Sequence, residues 1–292
     1  NKAQEMANLF FKDLGKTASD LLENDFKFQK TFSFATKTDN GIVIKTKGNL
    51  AENQIRASLL AQRKYPNGIS IENVEIKTNG RVAVGGSAKL SDSLTLKLDV
   101  EDGKHTPGNP LESHGIVGID FCSPRAVISS QFDAINGPIA KVSGLMRAGR
   151  FLIGLQCDYD TQLDLKGKPH FSDYNLGFGF ASSTWQSALI TKKKMSTLDL
   201  SFSQNINQNL TVACKAETEV EKVAPQIVLG SSYKIDDFST LKTKIDSNAV
   251  VSVALVQQIN RHTTLICAGA VDTKDWSAES HKLGVGISFN FV

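Results

Sequence analysis

The chain has 292 residues, 40% of them hydrophobic and 22% charged, with a mean hydropathy of −0.17 and a net charge of +3. That length fits roughly one or two ordinary domains or a single large β-barrel, and it needs no disulfide or metal staple to hold a core. The balanced charge excludes the basic excess expected of a nucleic-acid partner; the longest apolar run, Val250 to Val256 broken by Ser252, is far short of the ~20 residues of a membrane helix, though a membrane barrel is not excluded.

The first predicted element is an amphipathic helix from Glu5 to Leu22. Met6, Leu9, Phe10, Leu14, Ala18, Leu21 and Leu22 recur at helical spacing, opposite Asn8, Lys12, Lys16, Ser19 and Glu23. Gly15 in its middle weakens it by about 1 kcal/mol relative to alanine. Residues 1–25 contain no continuous apolar stretch of the secretory-signal kind.

After residue 25 the period changes from 3.6 to 2 and does not change back. Leu94, Leu96, Leu98 and Val100 alternate with Thr95, Lys97 and Asp99. The same alternation runs through Leu198–Phe202, Leu210–Cys214 and Leu283–Phe291, as strands with one apolar face require. Asn40-Gly41, Asn67-Gly68, Asn79-Gly80, Asp102-Gly103, Asn136-Gly137 and Lys166-Gly167 supply turn residues between runs. Lys192, Lys193 and Lys194 read as a solvated turn, and Asn209-Leu210-Thr211 as a strand start. Cys122, Cys157, Cys214 and Cys267 sit singly in apolar segments, as inert small hydrophobes do.

With no helix between strands, a parallel α/β sheet is not expected; the simplest organisation is an all-β fold, one antiparallel sheet closed on itself. About 265 residues at ~14 per strand and turn give roughly 18–20 strands. So wide a barrel encloses water, and its apolar face needs lipid. Lys97, Asp99, Lys215, Glu217, Lys242, Lys244 and Lys282 are the inward candidates. The chain divides into an N-terminal helix and linker (residues 1–25) and a transmembrane β-barrel (residues 26–292).

Three stretches carry a family resemblance. Tyr233 to Ser247, with Asp236, Asp237, Ser239, Thr243, Lys244, Ile245 and Asp246, continues into Ser252-Val253-Ala254-Leu255. It resembles the signature of the eukaryotic mitochondrial porins, the voltage-dependent anion channels. Ser280 to Phe289 is similar to that family's last strand, and Asp13 to Leu22 to its N-terminal helix. The resemblance implies a mitochondrial outer-membrane barrel of 19 strands, the known odd-numbered exception, with first and last strands parallel. It also implies a helix against the inner wall and passage of adenine nucleotides such as ATP and ADP, phosphate and organic acids. A lysine-lined lumen is the physical reason for anion preference. Lys16 carries over as a nucleotide-contacting lysine, and Lys12 shares its helix face.

The chain also departs from the family. Ser19 stands where the family has a basic residue. The family's glycine-rich hinge is replaced by Asn24-Asp25-Phe26-Lys27-Phe28. The lipid-facing glutamate of animal members matches Asn73, and its neighbour Glu72 falls on the lumen face of a period-2 strand.

Rival chemistry finds no support. His105, His114, His170, His262 and His281 lack metal-ligand spacing. Gly177-Phe178-Gly179 lacks the third glycine of a dinucleotide fingerprint. No nucleophile–base pair or cofactor motif appears, so no enzyme and no cofactor is expected. The leading reading is a passive diffusion channel for anionic metabolites in the mitochondrial outer membrane, with membrane lipid as its surroundings and no nucleic-acid partner. The alternatives are a porin-fold subunit of a larger mitochondrial complex, self-associating or docked to others, a protein-translocating relative, and a soluble enzyme.

Overall fold

The structure, a computed structural model, describes residues 9–51, 54–102, 113–135, 139–161, 170–220, 224–276 and 281–292. The strands begin with β1 (Lys30–Lys37), β2 (Ile42–Ala51), β3 (Gln54–Lys64), β4 (Ile69–Lys77), β5 (Val82–Lys89), β6 (Leu94–Asp102) and β7 (His114–Cys122). They continue with β8 (Ala126–Asp133), β9 (Ile139–Ala148), β10 (Phe151–Asp160), β11 (His170–Ala181), β12 (Trp185–Lys192) and β13 (Thr197–Asn205). The last are β14 (Leu210–Glu219), β15 (Gln226–Lys234), β16 (Ser239–Asp246), β17 (Val250–Asn260), β18 (Thr263–Asp272) and β19 (Lys282–Phe291).

Every strand pairs antiparallel with the next, and the 19-stranded sheet closes where β1 meets β19 in parallel, from Lys30↔Val285 to Thr36↔Phe291. An odd number of alternating strands leaves the first and last pointing the same way, so the seam has to be parallel. Across it Ser33 Oγ donates to Ser288 Oγ at 2.8 Å inside the barrel, and Phe34 and Phe291 meet with ring centroids 5.7 Å apart outside it.

Alternation now separates two environments. Among the described residues, outward side chains between the strand ends carry no charge; the outward charges Lys30, Arg63 and Asp102 lie at or next to strand ends. Such a coat suits lipid, where a central charge costs several kcal/mol. Phe151, Phe180, Trp185 and Phe202 form an outward chain of rings, with successive centroids 5.3, 4.4 and 6.0 Å apart, near one rim. Tyr159 and Phe171 pair at 5.2 Å near the other. The eight steps of β10 between the clusters span about 26 Å along the strand, and tilted strands bring this close to the ~25 Å apolar band bounded by aromatic girdles in membrane barrels. Cys157, Cys214 and Cys267 face outward with this coat.

Connections at the rim near Phe151 are two to four residues long. Gly41 and Gly68 occupy turns there with φ of 75° and 84°, and Gly80 at the opposite rim has φ 82°, as the turn signals predict. Gly103, Asn136-Gly137 and Lys166-Gly167 lie outside the described residues. Lys193 and Lys194 form the β12–β13 turn, and Leu210 opens β14.

The N-terminal helix differs from its sequence reading. Residues 5–8 lie outside the described residues, and the segment from Phe11 to Glu23 is not one continuous helix. A 3-10 turn (Phe11–Asp13) is separated from α1 (Lys16–Glu23) by Gly15 at φ 72°. A Cβ at Gly15 would collide with the Ser201 hydroxyl of β13. Gly15 is thus a break required by a left-handed backbone and a close wall, not a weak point in one helix.

The β4 alternation also shifts. Glu72 is an extra residue, passed over by both neighbours: Ile71 pairs with Gly86 and Asn73 with Gly85, while Ala61 pairs with Val74 and Arg63 with Ile71. Glu72 accepts a hydrogen bond from Ser87 Oγ at 2.5 Å on the inner face. The bulge returns Asn73 to the inner face beside Gly85 as well, so neither side chain meets lipid.

Candidate functional site: a lumen with one covered and one open wall

The described N-terminal segment lies inside the barrel and wraps along its wall. Phe11 and Leu14 pack with Leu145, Leu152, Ala181 and Ala188 on β9–β12. Ala18, Leu21 and Leu22 pack on Ala213 of β14, with Val228 of β15 alongside, and Phe26 packs on Ala254 and Ala268 of β17 and β18. The wall makes room with small residues. A Cβ at Gly154 would come within 2.6 Å of Phe11, at Gly177 within 2.6 Å of Leu14, and at Gly230 within 2.6 Å of Leu22. The Gly177-Phe178-Gly179 stretch is therefore a strand, and its glycines seat the segment.

Polar contacts complete the docking. Thr17 Oγ1 donates to Gln186 Oε1 at 2.8 Å. Lys215 Nζ lies 3.4 Å from Glu23 and 3.7 Å from Asp199. Lys242 Nζ donates to Asp25 Oδ2 at 2.6 Å, and Lys244 Nζ to the Leu22 carbonyl at 2.9 Å.

Opposite this covered wall lies a cavity of about 1830 Å³, between the linker and the inner faces of β1–β4 and β19. Lys27, Lys47, Arg56 and Lys282 line it, and none of them has an ion pair among the described residues. Lys77 lines it too but is neutralised by Glu101 at 2.8 Å and Glu75 at 3.8 Å. Ser33, Asn49 and Ser58 supply uncharged polar surface between the cations. The cationic wall faces water, so it acts on passing ions over about a Debye length, ~8 Å at physiological salt.

The inward candidates read from the sequence all face the lumen, but most of their charge is committed. Lys97 lies 2.7 Å from Asp120, with its ammonium 5.5 Å from the Phe10 ring centroid. Lys12 lies 5.6 Å from the same ring, and Lys16 pairs with Asp13 at 3.3 Å. Lys215, Lys242 and Lys244 hold the segment, and Asp99 and Glu217 face inward by register opposite Gly85 and Asp199. Of that group Lys242 and Lys282 both line the cavity, and Lys242 is paired with Asp25, so Lys282 is the one that joins the open wall without an ion pair among the described residues.

The signature residues have distinct places. Tyr233 points outward at a rim, paired with Leu210 and Leu241. Asp236 accepts hydrogen bonds from the Phe238 amide at 2.7 Å and the Ser239 hydroxyl at 3.0 Å, which holds its carboxyl below the usual carboxylate range. Asp246 accepts from the Asn248 and Val250 amides at 2.9 and 3.1 Å, around Ala249 at φ 66°. The two aspartates cap the turns at either end of β16. Sequence reasoning missed Lys27, Lys47 and Arg56 as lining residues; the signal for Lys47 was its parity with Lys45 against Ile42 and Ile44 on β2.

A closed sheet whose described outer coat is free of charge between the strand ends, with aromatic belts and a wide cavity beside a cationic inner wall, defines a membrane-spanning β-barrel channel. The chain belongs to the eukaryotic porin family, whose family model matches residues 9–284. It is 24% identical over 291 residues to a mitochondrial outer membrane protein porin of Neurospora crassa, covering 97% of this chain and 99% of that one. It is also 24% identical over 291 residues to a voltage-dependent anion-selective channel of Drosophila melanogaster, with the same coverage. A solved mutant porin of Rh. blastica aligns with a TM-score of 0.49 at 10% identity, covering 90% of this chain and 97% of that one, too distant a likeness to carry argument. The chain is a porin of the mitochondrial outer membrane.

Proposed function

We propose that the barrel is a passive diffusion channel for anionic metabolites, including adenine nucleotides such as ATP and ADP, phosphate and organic acids. The observation that carries this reading is the open wall, where Lys27, Lys47, Arg56 and Lys282 stand without carboxylate partners among the described residues beside a wide cavity. Unpaired cations lining a confined path raise the local anion concentration and lower that of cations. Lys12 and Lys16, near mid-lumen on the docked segment, add contacts for a polyphosphate that crosses the pore. On this reading residues 26–292 form the conduit and residues 1–25 narrow it from within. The open path supports permeation over a purely structural role in a larger complex, and neither permeation nor the wall's chemistry calls for an enzymatic step.

The test is conductance of the purified chain in planar bilayers under a potassium chloride gradient. A large pore whose reversal potential favours chloride supports the reading. A sealed barrel or a cation-selective one overturns it.

A further inference from the structure

One sector of the short-turn rim gathers arginines. Arg125 ends the β7–β8 turn, Arg147 is the last but one residue of β9, and Arg150 follows Gly149 in the β9–β10 turn. The Arg147 amide donates to the Arg125 carbonyl at 2.8 Å, one step beyond the ladder pair Ala126↔Met146, so the two residues stand opposite each other. Arg147 Nε donates to the Gly149 carbonyl at 3.2 Å, which fixes that guanidinium over the turn carrying Arg150. Arg125 and Arg150 are exposed and have no ion pair among the described residues.

The strands of this sector bring no carboxylate to this rim. In residues 121–157 the single acid is Asp133, at the opposite rim, and residues 174–198 contain none. Asp120, lower on β7, is taken by Lys97 at 2.7 Å and by the Ser129 hydroxyl at 2.6 Å. Elsewhere on the same rim cations stand beside acids: Lys89 pairs with Asp92 at 3.2 Å, and Asp236 and Asp237 share the turn after Lys234. Like charges facing each other across a ladder repel, so the clustered arginines favour an anion among them.

The outer surface just below sets the depth of the cluster. Phe151 follows Arg150 directly, and its ring begins the outward chain through Phe180 to Trp185. Such rings mark the boundary between acyl chains and headgroups, so the arginine turns stand at the level of lipid phosphates. A guanidinium meets phosphate through a planar fork of N–H donors, and a phosphomonoester offers close to two charges and three acceptor oxygens.

We propose that the β7–β8 and β9–β10 turns form a phosphate-binding site in which Arg125, Arg147 and Arg150 take a phosphomonoester. An anionic lipid headgroup and free phosphate share that chemistry. The site needs only the membrane-spanning fold and goes beyond the channel reading, since none of its tests depends on conductance.

The chain has two tryptophans, so the full chain carrying Trp276→Phe leaves Trp185 as the reporter. It is reconstituted in phosphatidylcholine bilayers holding a small, equal share of acyl-brominated lipid, either phosphatidate or phosphatidylcholine. Brominated phosphatidate should be enriched at Trp185 about threefold over brominated phosphatidylcholine, read as stronger quenching. Arg125→Gln with Arg150→Gln should abolish that preference. Lys37→Gln with Lys64→Gln removes the same charge from the same rim and should leave it intact. Quenching by brominated phosphatidylcholine reports insertion of each variant; if the double arginine variant does not insert, Arg150→Gln alone should lower the preference in part. In a second arm, inorganic phosphate is titrated at fixed ionic strength into chain in pure phosphatidylcholine. Saturable phosphate binding that the arginine variant loses, without phosphatidate enrichment, assigns the site to free phosphate; enrichment that the arginine variant loses assigns it to the lipid. The proposal is overturned if neither ligand prefers the unmodified chain, or if the lysine pair matters as much as the arginine pair, which would reduce the effect to rim charge.

Discussion

At the scale of single residues, an ion in the lumen responds to the cations that have no partner. A unit charge ~8 Å from a permeating ion in water is worth about 0.5 kcal/mol, roughly a twofold change in local concentration. Lys47→Gln and Arg56→Gln should therefore each lower the chloride-over-potassium ratio about twofold and act nearly additively, and the effect should shrink at high salt as screening shortens. Reversal potentials at two ionic strengths measure both trends; an unchanged ratio would move selectivity elsewhere. Asp236 makes a different prediction. Its carboxyl is held down by the Phe238 amide and the Ser239 hydroxyl, so its folded pKa lies below its unfolded one. Its contribution is complete above the unfolded value, about pH 3.9, and is lost as pH falls through the folded value. Asp236→Asn should remove that part of the acid dependence of unfolding: the variant is less stable at neutral pH by what the ionised carboxyl supplies, and the two chains converge as pH falls through the folded value.

At the scale of elements, the docking of the N-terminal segment turns on how closely backbone approaches wall. Gly15→Ala forces an alanine into a left-handed conformation costing about 1–2 kcal/mol and drives its Cβ against Ser201. Denaturant unfolding of the reconstituted chain should show that loss, and Ser201→Gly should recover only the steric part, since the backbone part remains. Full recovery would mean the left-handed turn carries no strain. The same element marks the limit of what was legible in the sequence. The strands were readable because lipid on one side and water on the other write a period of two into Leu94–Val100 or Leu283–Phe291. The helix stripe was readable too, but a lone glycine between Leu14 and Lys16 looks identical whether it is a weak point or a required turn; only Ser201, far away in sequence, distinguishes them. Glu72 illustrates the same limit, because one inserted residue changes parity without any composition signal. At the site, the sequence placed the lysines on the inner face but not their partners. Lys97 and Lys282 have the same parity, and what separates them is Asp120 on a neighbouring strand.

At the scale of the whole molecule, the two faces of the sheet should treat one substitution in opposite ways. Leu200 lies mid-strand on β13, outward and 51% exposed in the isolated barrel, where lipid would cover it. Ser58 lies mid-strand on β3, inward on the open wall, opposite Lys47 and Lys77. Leu200→Arg puts a guanidinium near the bilayer midplane and should destabilise the barrel by about 2–4 kcal/mol, read as a lower denaturant midpoint in lipid. In detergent, whose mantle is thinner and more deformable, the loss should be smaller. Ser58→Arg leaves its charge in water, so the midpoint should move little, while its proximity to Lys47 raises the chloride preference about twofold. The pair tests closure as well as orientation: an open or inverted sheet would give water to Leu200, and the outward arginine would then cost no more than the inward one. Equal midpoints for the two variants would overturn the assignment of lipid to the apolar face. A large gap in stability, with selectivity moving only in Ser58→Arg, is the outcome that a closed, lipid-coated, water-filled barrel requires.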